Sequence, residues 1–196
     1  AGNYTVTLTV TDNDNAVSST SIVITVVNQP PVASFTPSAT TVYTGDSITF
    51  NASASYDPDG TITSYFWTFG DGTNATGVTT SHSYVDNGTY TVTLRVTDND
   101  GATNTKTTSI TVLNRPPIAS FSSSATLVLT NVTVYFNAST SYDPDGTIVS
   151  YFWAFGDGTN ATGVTASHSY ADNGTYVVIL TVTDNDGAQS SANATE

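Results

Sequence analysis

Aspartate carries most of the chemical capacity of this chain. Asp57-Pro58-Asp59-Gly60 sets two carboxylates in one tight turn, and Asp98-Asn99-Asp100-Gly101 sets two in another. Both motifs return at an offset of 86 residues, as Asp143–Gly146 and Asp184–Gly187. Clustered carboxylates and carbonyls suit a hard cation such as calcium, which takes several oxygens at ~2.3–2.6 Å. The same residue types also make turns, where Asp and Asn side chains cap backbone amides. On the residues alone both readings stand. The spacing is not that of an EF-hand loop.

Other candidate groups point away from catalysis. His82 and His168 share the context Ser-His-Ser-Tyr. A Ser-His-Asp site would need an exposed nucleophile and an oxyanion hole, and the chain has no Gly-x-Ser-x-Gly turn. One histidine per repeat, with no His-x-x-x-His pair, does not make a zinc site. Both histidines are read as structural and the chain as no enzyme. Gly70-Asp71-Gly72 precedes no helix pattern and is not a phosphate loop. Tyr43, Tyr56 and Tyr65 have the chemistry to stack on sugars, but packing in a core or on a sheet face is the simpler role.

A different chemistry is written in nine Asn-x-Ser/Thr sequons, at Asn3, Asn51, Asn74, Asn87, Asn131, Asn137, Asn160, Asn173 and Asn193. Roughly four would arise by chance from this composition, so N-linked glycans are expected partners, with the chain outside a cell or on its surface.

The elements that must hold these groups are strands. Fifteen of the 16 acidic residues are Asp, and only Arg95, Lys106 and Arg115 are basic. Asp favours turns, whereas Glu and Lys favour helix interiors, so few helices are expected. A net charge of −13 argues against nucleic acid, which needs a Lys/Arg surface. Without cysteine there are no disulfides. The longest apolar run, Ile22–Val27, is far short of the ~20 residues of a membrane helix. Tyr90, Val92, Leu94 and Val96 alternate with polar residues, the pattern of a strand with one buried face. Further strands are expected at Thr105–Leu113, Ser47–Ala52 and Ile62–Phe69, with Val32–Phe35 opening the unit and Trp67 anchoring its core.

These strands belong to a repeat. Between residues 30–110 and 116–196, 55 of 81 aligned positions are identical without a gap. Residues 1–28 are read as the last two strands of one repeat, 29–114 as a complete repeat, and 115–196 as a repeat lacking its last strand. The linkers Asn28–Pro31 and Asn114–Pro117 each carry a Pro-Pro pair, which restricts φ and stiffens the joint.

The run PPVASF, SYDPDGTI, YFWTFGDG, His82-Ser83-Tyr84, Gly88-Thr89-Tyr90-Thr91-Val92-Thr93-Leu94 and TDNDG resembles the PKD domain over the whole chain. The resemblance implies an all-β chain of tandem Ig-like β-sandwiches joined by short Pro-Pro linkers. PKD domains occur in archaeal surface-layer proteins, as accessory modules of secreted proteases, chitinases and collagenases, and in animal ectodomains. Near-identical copies rich in sequons are most similar to the archaeal surface versions. In some collagenase PKD modules the matching residues bind calcium. That likeness implies ligands Asn28, Asp57, Asp59 and Asp98, and Asn114, Asp143, Asp145 and Asp184, with calcium the one expected cofactor. A bound ion would stiffen the joint.

The expected function is structural: a glycosylated surface-layer, stalk or filament component. The alternatives are an accessory substrate-binding or spacer module of a secreted hydrolase, and an adhesin ectodomain. The apolar face of residues 1–28 (Tyr4, Val6, Leu8, Val10) needs protein to cover it, and Glu196 stands where Ile110 stands one period earlier. The expected partners are therefore flanking repeats or copies of the chain itself. In the second case Ser21, Ile22, Ile24 and Val26 would serve as a donated strand.

Overall fold

The computed structural model describes residues 2–193. Seventeen strands and no helix are present among them. Strands β1 (Gly2–Thr11) and β2 (Val17–Val26) form an antiparallel hairpin on their own, closed by a turn in which Asp12 Oδ1 accepts from the amides of Asp14 and Ala16. Its large apolar residues are exposed, from Ile24 at 46% to Val17 at 65%. The positions one period later, Val92, Leu94 and Val96, are fully buried. The same pattern thus lies in a core in one place and in solvent in the other.

The second repeat is a two-sheet sandwich. One sheet is built from β3 (Thr36–Pro37), β5 (Ile48–Asn51) and β8 (Thr79–His82), in the order β3-β5-β8. The other contains β4 (Thr41–Tyr43), β6 (Ile62–Thr68), β7 (Asn74–Thr76), β9 (Gly88–Asp98) and β10 (Thr103–Leu113), in the order β4-β10-β9-β6-β7. The alternating residues of β5 and β9 turn their apolar side inward. Phe50 of one sheet meets Trp67 of the other at 5.8 Å between ring centroids, and Phe35 packs edge-on to Trp67 at 5.0 Å. Trp67 is fully buried and donates its Nε1–H to Gly77 O at 2.8 Å, so its one polar group is satisfied. Gly70 has a positive φ of 87°, and a Cβ there would run into the Thr91 backbone, which fixes glycine after the aromatic strand.

The third repeat uses the same plan. Strands β11 (Ser122–Ser123), β12 (Thr133–Asn137) and β15 (Thr165–Ser169) make one sheet. Strands β13 (Ile148–Ala154), β14 (Asn160–Thr162), β16 (Ile179–Asp184) and β17 (Gln189–Asn193) make the other, in the order β14-β13-β16-β17. Phe136, Trp153 and Phe155 form its buried aromatic core. The fold is therefore all-β, in tandem Ig-like sandwiches.

One expectation is corrected. The third repeat does not lack its last strand, because β17 pairs with β16 over five residue pairs, from Thr183↔Gln189 to Ile179↔Asn193. Ala194, Thr195 and Glu196 lie outside the described residues. Val32–Phe35 opens the unit, with Val32 in an isolated bridge to Tyr56 and pairing with β5 beginning at Thr36. Pro30 and Pro31 precede it and supply no N–H for a ladder.

Two compact units can be drawn. One comprises Ala1–Thr40, Ser47–His82 and Thr89–Ile110, the other Thr41–Asp46, Ser83–Gly88 and Thr111–Glu196. This division does not follow the sequence period, because the segment Thr41–Asp46 is bonded to Arg115 and Asp145 of the second unit.

Candidate functional site

The aspartates gather where β6 and β9 begin and end. Ile62 pairs with Asp98, and a bulge at Thr63 breaks the register before Ser64 pairs with Thr97. The bulge turns the Thr63 hydroxyl onto the Asp98 carbonyl at 2.9 Å. Asp98 is 2% exposed. Its Oδ1 accepts from the amides of Asp100 (3.0 Å) and Ala102 (2.8 Å), closing the hairpin turn, and its Oδ2 accepts from Asn28 Nδ2 at 2.7 Å. The Asn28 bond, with those amides, holds the Asp98 carboxyl below its usual range against the opposing effect of burial. Turn capping is thus one real role of this residue.

Asp57 differs. Both its carboxylate oxygens are buried and make no hydrogen bond. Burial pushes its carboxyl up, and the charges of Asp59 and Asp98 add to this, against the opposing pull of the nearby Asp59 backbone amide. Asp59 accepts from the Gln29 amide at 3.1 Å. Gly60 lies beneath this group, and a Cβ there would collide with Asn99 Oδ1 and Asp57 Oδ2. Asn99 Oδ1 also accepts from the Thr61 amide at 2.8 Å. Asn28, Asp57, Asp59 and Asp98 are therefore neighbours, as the PKD resemblance implies.

The third repeat repeats this arrangement and adds to it. Asn114 Nδ2 donates to Asp184 Oδ2 at 2.8 Å, and Asp143 Oδ2 and Asp145 Oδ1 are buried without a partner. Burial raises the Asp143 carboxyl, with Asp145 and Asp184 contributing. Asp145 Oδ2 accepts from the Arg115 amide at 2.9 Å and from the Thr44 hydroxyl. These bonds outweigh burial and hold its carboxyl low. Arg115 also reaches Asp46 at 2.7 Å and the Thr44 carbonyl at 3.1 Å, and lies 5.3 Å from the Tyr43 ring centre. The sequence reading did not single out Asn99, Thr44, Asp46 or Arg115 as parts of the cluster. Asn99 was legible, since it sits between two aspartates of a repeated motif. Thr44 was not, because it lies about 100 positions from Asp145.

Among the described residues, no three His, Cys, Asp or Glu side chains converge tightly enough to hold a metal by themselves. The unpartnered buried atoms of Asp57, Asp143 and Asp145 are all carboxylate oxygens, the donor type a hard cation takes.

Each histidine is tied into its core. His82 Nε2 lies 2.6 Å from Asp71 Oδ2, and its ring stacks on Phe69 at 4.2 Å. His168 pairs with Asp157 at 2.7 Å and stacks on Phe155 at 4.4 Å. The Asp157 carboxyl is held down to about 2, chiefly by the hydroxyl and amide of Thr159. Tyr43 is engaged with Arg115, and Tyr56 is exposed. All nine sequon asparagines are exposed, although Thr195 of the last sequon lies outside the described residues. The proposed donor residues Ser21, Ile22, Ile24 and Val26 are exposed on β2, which pairs along one edge with β1.

The sequence matches the family model for the PKD domain over residues 28–112 and again over 114–196. The chain belongs to the PKD-domain family. It is 35% identical over 209 aligned residues to mouse "Dyslexia-associated protein KIAA0319-like protein", covering 96% of this chain and 20% of that protein. It is 44% identical over 68 residues to the microbial collagenase of Vibrio alginolyticus, covering 35% of this chain and 8% of the collagenase. It therefore spans a fifth or less of these relatives. Among solved structures, the PKD1 domain of Vibrio anguillarum Epp is 42% identical, with 44% of this chain and 96% of that domain covered and a TM-score of 0.39. The similarity falls on PKD modules, which are non-catalytic. No helix among the described residues is long and apolar enough to cross a membrane.

Proposed function

We propose that this chain is a segment of an extracellular structural protein, a glycosylated array of PKD modules serving as a surface-layer, stalk or filament component. The observation that carries this reading is the repetition of the carboxylate cluster beside each Pro-Pro linker, where each ordered module begins. A bound calcium ion, held by Asn28, Asp57, Asp59 and Asp98, or by Asn114, Asp143, Asp145 and Asp184, supplies positive charge that neutralises carboxylates otherwise crowded together. The protein residues orient the donor oxygens, exclude solvent from Asp57 and Asp143, and tie each linker to its turn. Nine exposed sequons on an acidic surface support placement outside the cell with N-linked glycans attached.

The exposed hairpin face supports assembly. Ile24 and Val26 stand one period before Ile110 and Val112, which are buried. That face is complementary to the remainder of a PKD sandwich, supplied by a flanking repeat or by a second copy of the chain using Ser21, Ile22, Ile24 and Val26. Electron microscopy of native material tests the assignment. Continuous fibres or a surface lattice are expected, and isolated short rods attached to a hydrolase would favour the accessory-module reading suggested by the collagenase similarity.

A further inference from the structure

The outer face of the β11-β12-β15 sheet carries a feature absent from the sequence of the other repeat. Register places Ser122, Asn137 and Thr165 side by side in one row, and Tyr135 beside Ser167 in the next, with Ser124 bonded to Tyr135 through its hydroxyl and amide. All six side chains are exposed, and they line a shallow trough of about 490 Å³. Five are small or polar. Tyr135 alone is large, and it is 64% exposed. One period earlier the matching position is Thr49 and Thr36 replaces Ser122, while Ser38, Asn51 with its sequon Asn51-Ala52-Ser53, Thr79 and Ser81 match Ser124, Asn137, Thr165 and Ser167.

Residues two apart on a strand point to the same side, about 7 Å apart along it. Tyr135 therefore stands on the same face as Asn137, the acceptor of the sequon Asn137-Ala138-Ser139. A pyranose has one face made of axial C–H bonds, and an exposed phenol ring is its natural apolar complement, while the neighbouring Ser and Thr hydroxyls suit the equatorial hydroxyls. We infer that Tyr135 is the docking platform for the first sugar of an N-glycan on Asn137, so that this glycan lies down on the sheet while the one on Asn51 projects freely. The inference rests on the reading that the sequons are used. Its occupant is a tethered hexosamine, held in the trough by its own attachment point.

The test uses the 196-residue chain secreted from yeast, with its glycans trimmed by endoglycosidase H to one N-acetylglucosamine each. Sugar C–H resonances are followed by NMR and assigned by Ser139→Ala and Ser53→Ala, which remove the two sequons in turn. The sugar on Asn137 is expected to show upfield-shifted C–H resonances and cross-relaxation to the Tyr135 ring. Both are lost in Tyr135→Thr and are created on Asn51 by Thr49→Tyr. Indistinguishable resonances on Asn51 and Asn137 would overturn the platform and leave the glycosylation reading intact. An Asn137 that stays unmodified, in native and secreted chains alike, while other sequons carry sugar would overturn it at its first step. Sugar on none of the nine would sink the glycosylation reading itself.

Discussion

The carboxylate clusters beside the two linkers share their acidic residues but not their surroundings. Around Asn28, among the described residues, Asp59 meets the Gln29 amide, Asp98 meets Asn28, and both Asp57 oxygens lack a partner. Around Asn114 the same four positions are joined by Thr44, Asp46 and Arg115, and one oxygen each of Asp143 and Asp145 remains unpartnered. The bulge differs as well, since Thr63 bonds to the Asp98 carbonyl whereas its counterpart is Val149. A repeated motif therefore specifies the carboxylates, while the charge balance around them depends on what else the chain brings close.

Core substitutions should be blind to this difference. Trp67→Ala and Trp153→Ala each leave a large cavity in equivalent aromatic clusters, and each is expected to lower the stability of its repeat by ~3–5 kcal/mol. Urea unfolding of the two variants checks this. A loss in one repeat several times that in the other would show that the sandwiches are not energetically equivalent.

Calcium should separate the clusters. Asp57→Asn and Asp143→Asn are each expected to weaken calcium binding at their own cluster at least tenfold by calorimetric titration. In chelator the same changes should raise the unfolding midpoint, because they remove a buried charge that has no partner. The rise should be larger for Asp57→Asn, whose two oxygens are both unpartnered. If neither variant alters calcium binding, the clusters are turns and nothing more.

Acid should act on a different part of each repeat. Asp157 has a folded value of about 2 against an ordinary 3.8. A depressed carboxyl contributes stability that is complete above the unfolded value and is lost as pH falls through the folded one. The third repeat should therefore weaken between about pH 4 and about pH 2, and Asp157→Asn should flatten that part of the profile. Asp57 and Asp143 have the opposite sign, since protonating a raised carboxyl relieves a charge that folding buries. Circular dichroism against pH, on each variant, resolves the two contributions.

The smallest effect is expected at Arg115. Its side chain is 38% exposed and that of Asp46 44% exposed, so Arg115→Gln, which copies Gln29, should change stability by only ~0–1 kcal/mol. The change should also be weaker in high salt. A much larger loss would mean that the Arg115 bonds to the Thr44 carbonyl and over Tyr43 carry more than the ion pair.

Much of this was readable from residue order. The 86-residue period, the alternation in Tyr90–Val96 and the Asp-Pro-Asp-Gly and Asp-Asn-Asp-Gly turns locate the strands and the buried Trp67, while the shared neighbourhood of Asn28, Asp57, Asp59 and Asp98 was implied by the likeness to collagenase PKD modules. Strand alternation and turn chemistry are local, so they survive in a one-dimensional reading. That Val32 makes a single bridge to Tyr56 was not legible, because apolar composition does not reveal whether a ladder partner is present.

What the amino-acid order determined is the repeating sandwich and the placing of carboxylates at fixed points within it, since both follow from periods of two residues and of one module. Tertiary structure alone decided that Asp57 is left unpartnered, that Thr44 reaches Asp145, and that Tyr135 shares an open trough with Asn137. Each of those depends on burial and on pairs far apart in the chain, and neither quantity is carried by local spacing.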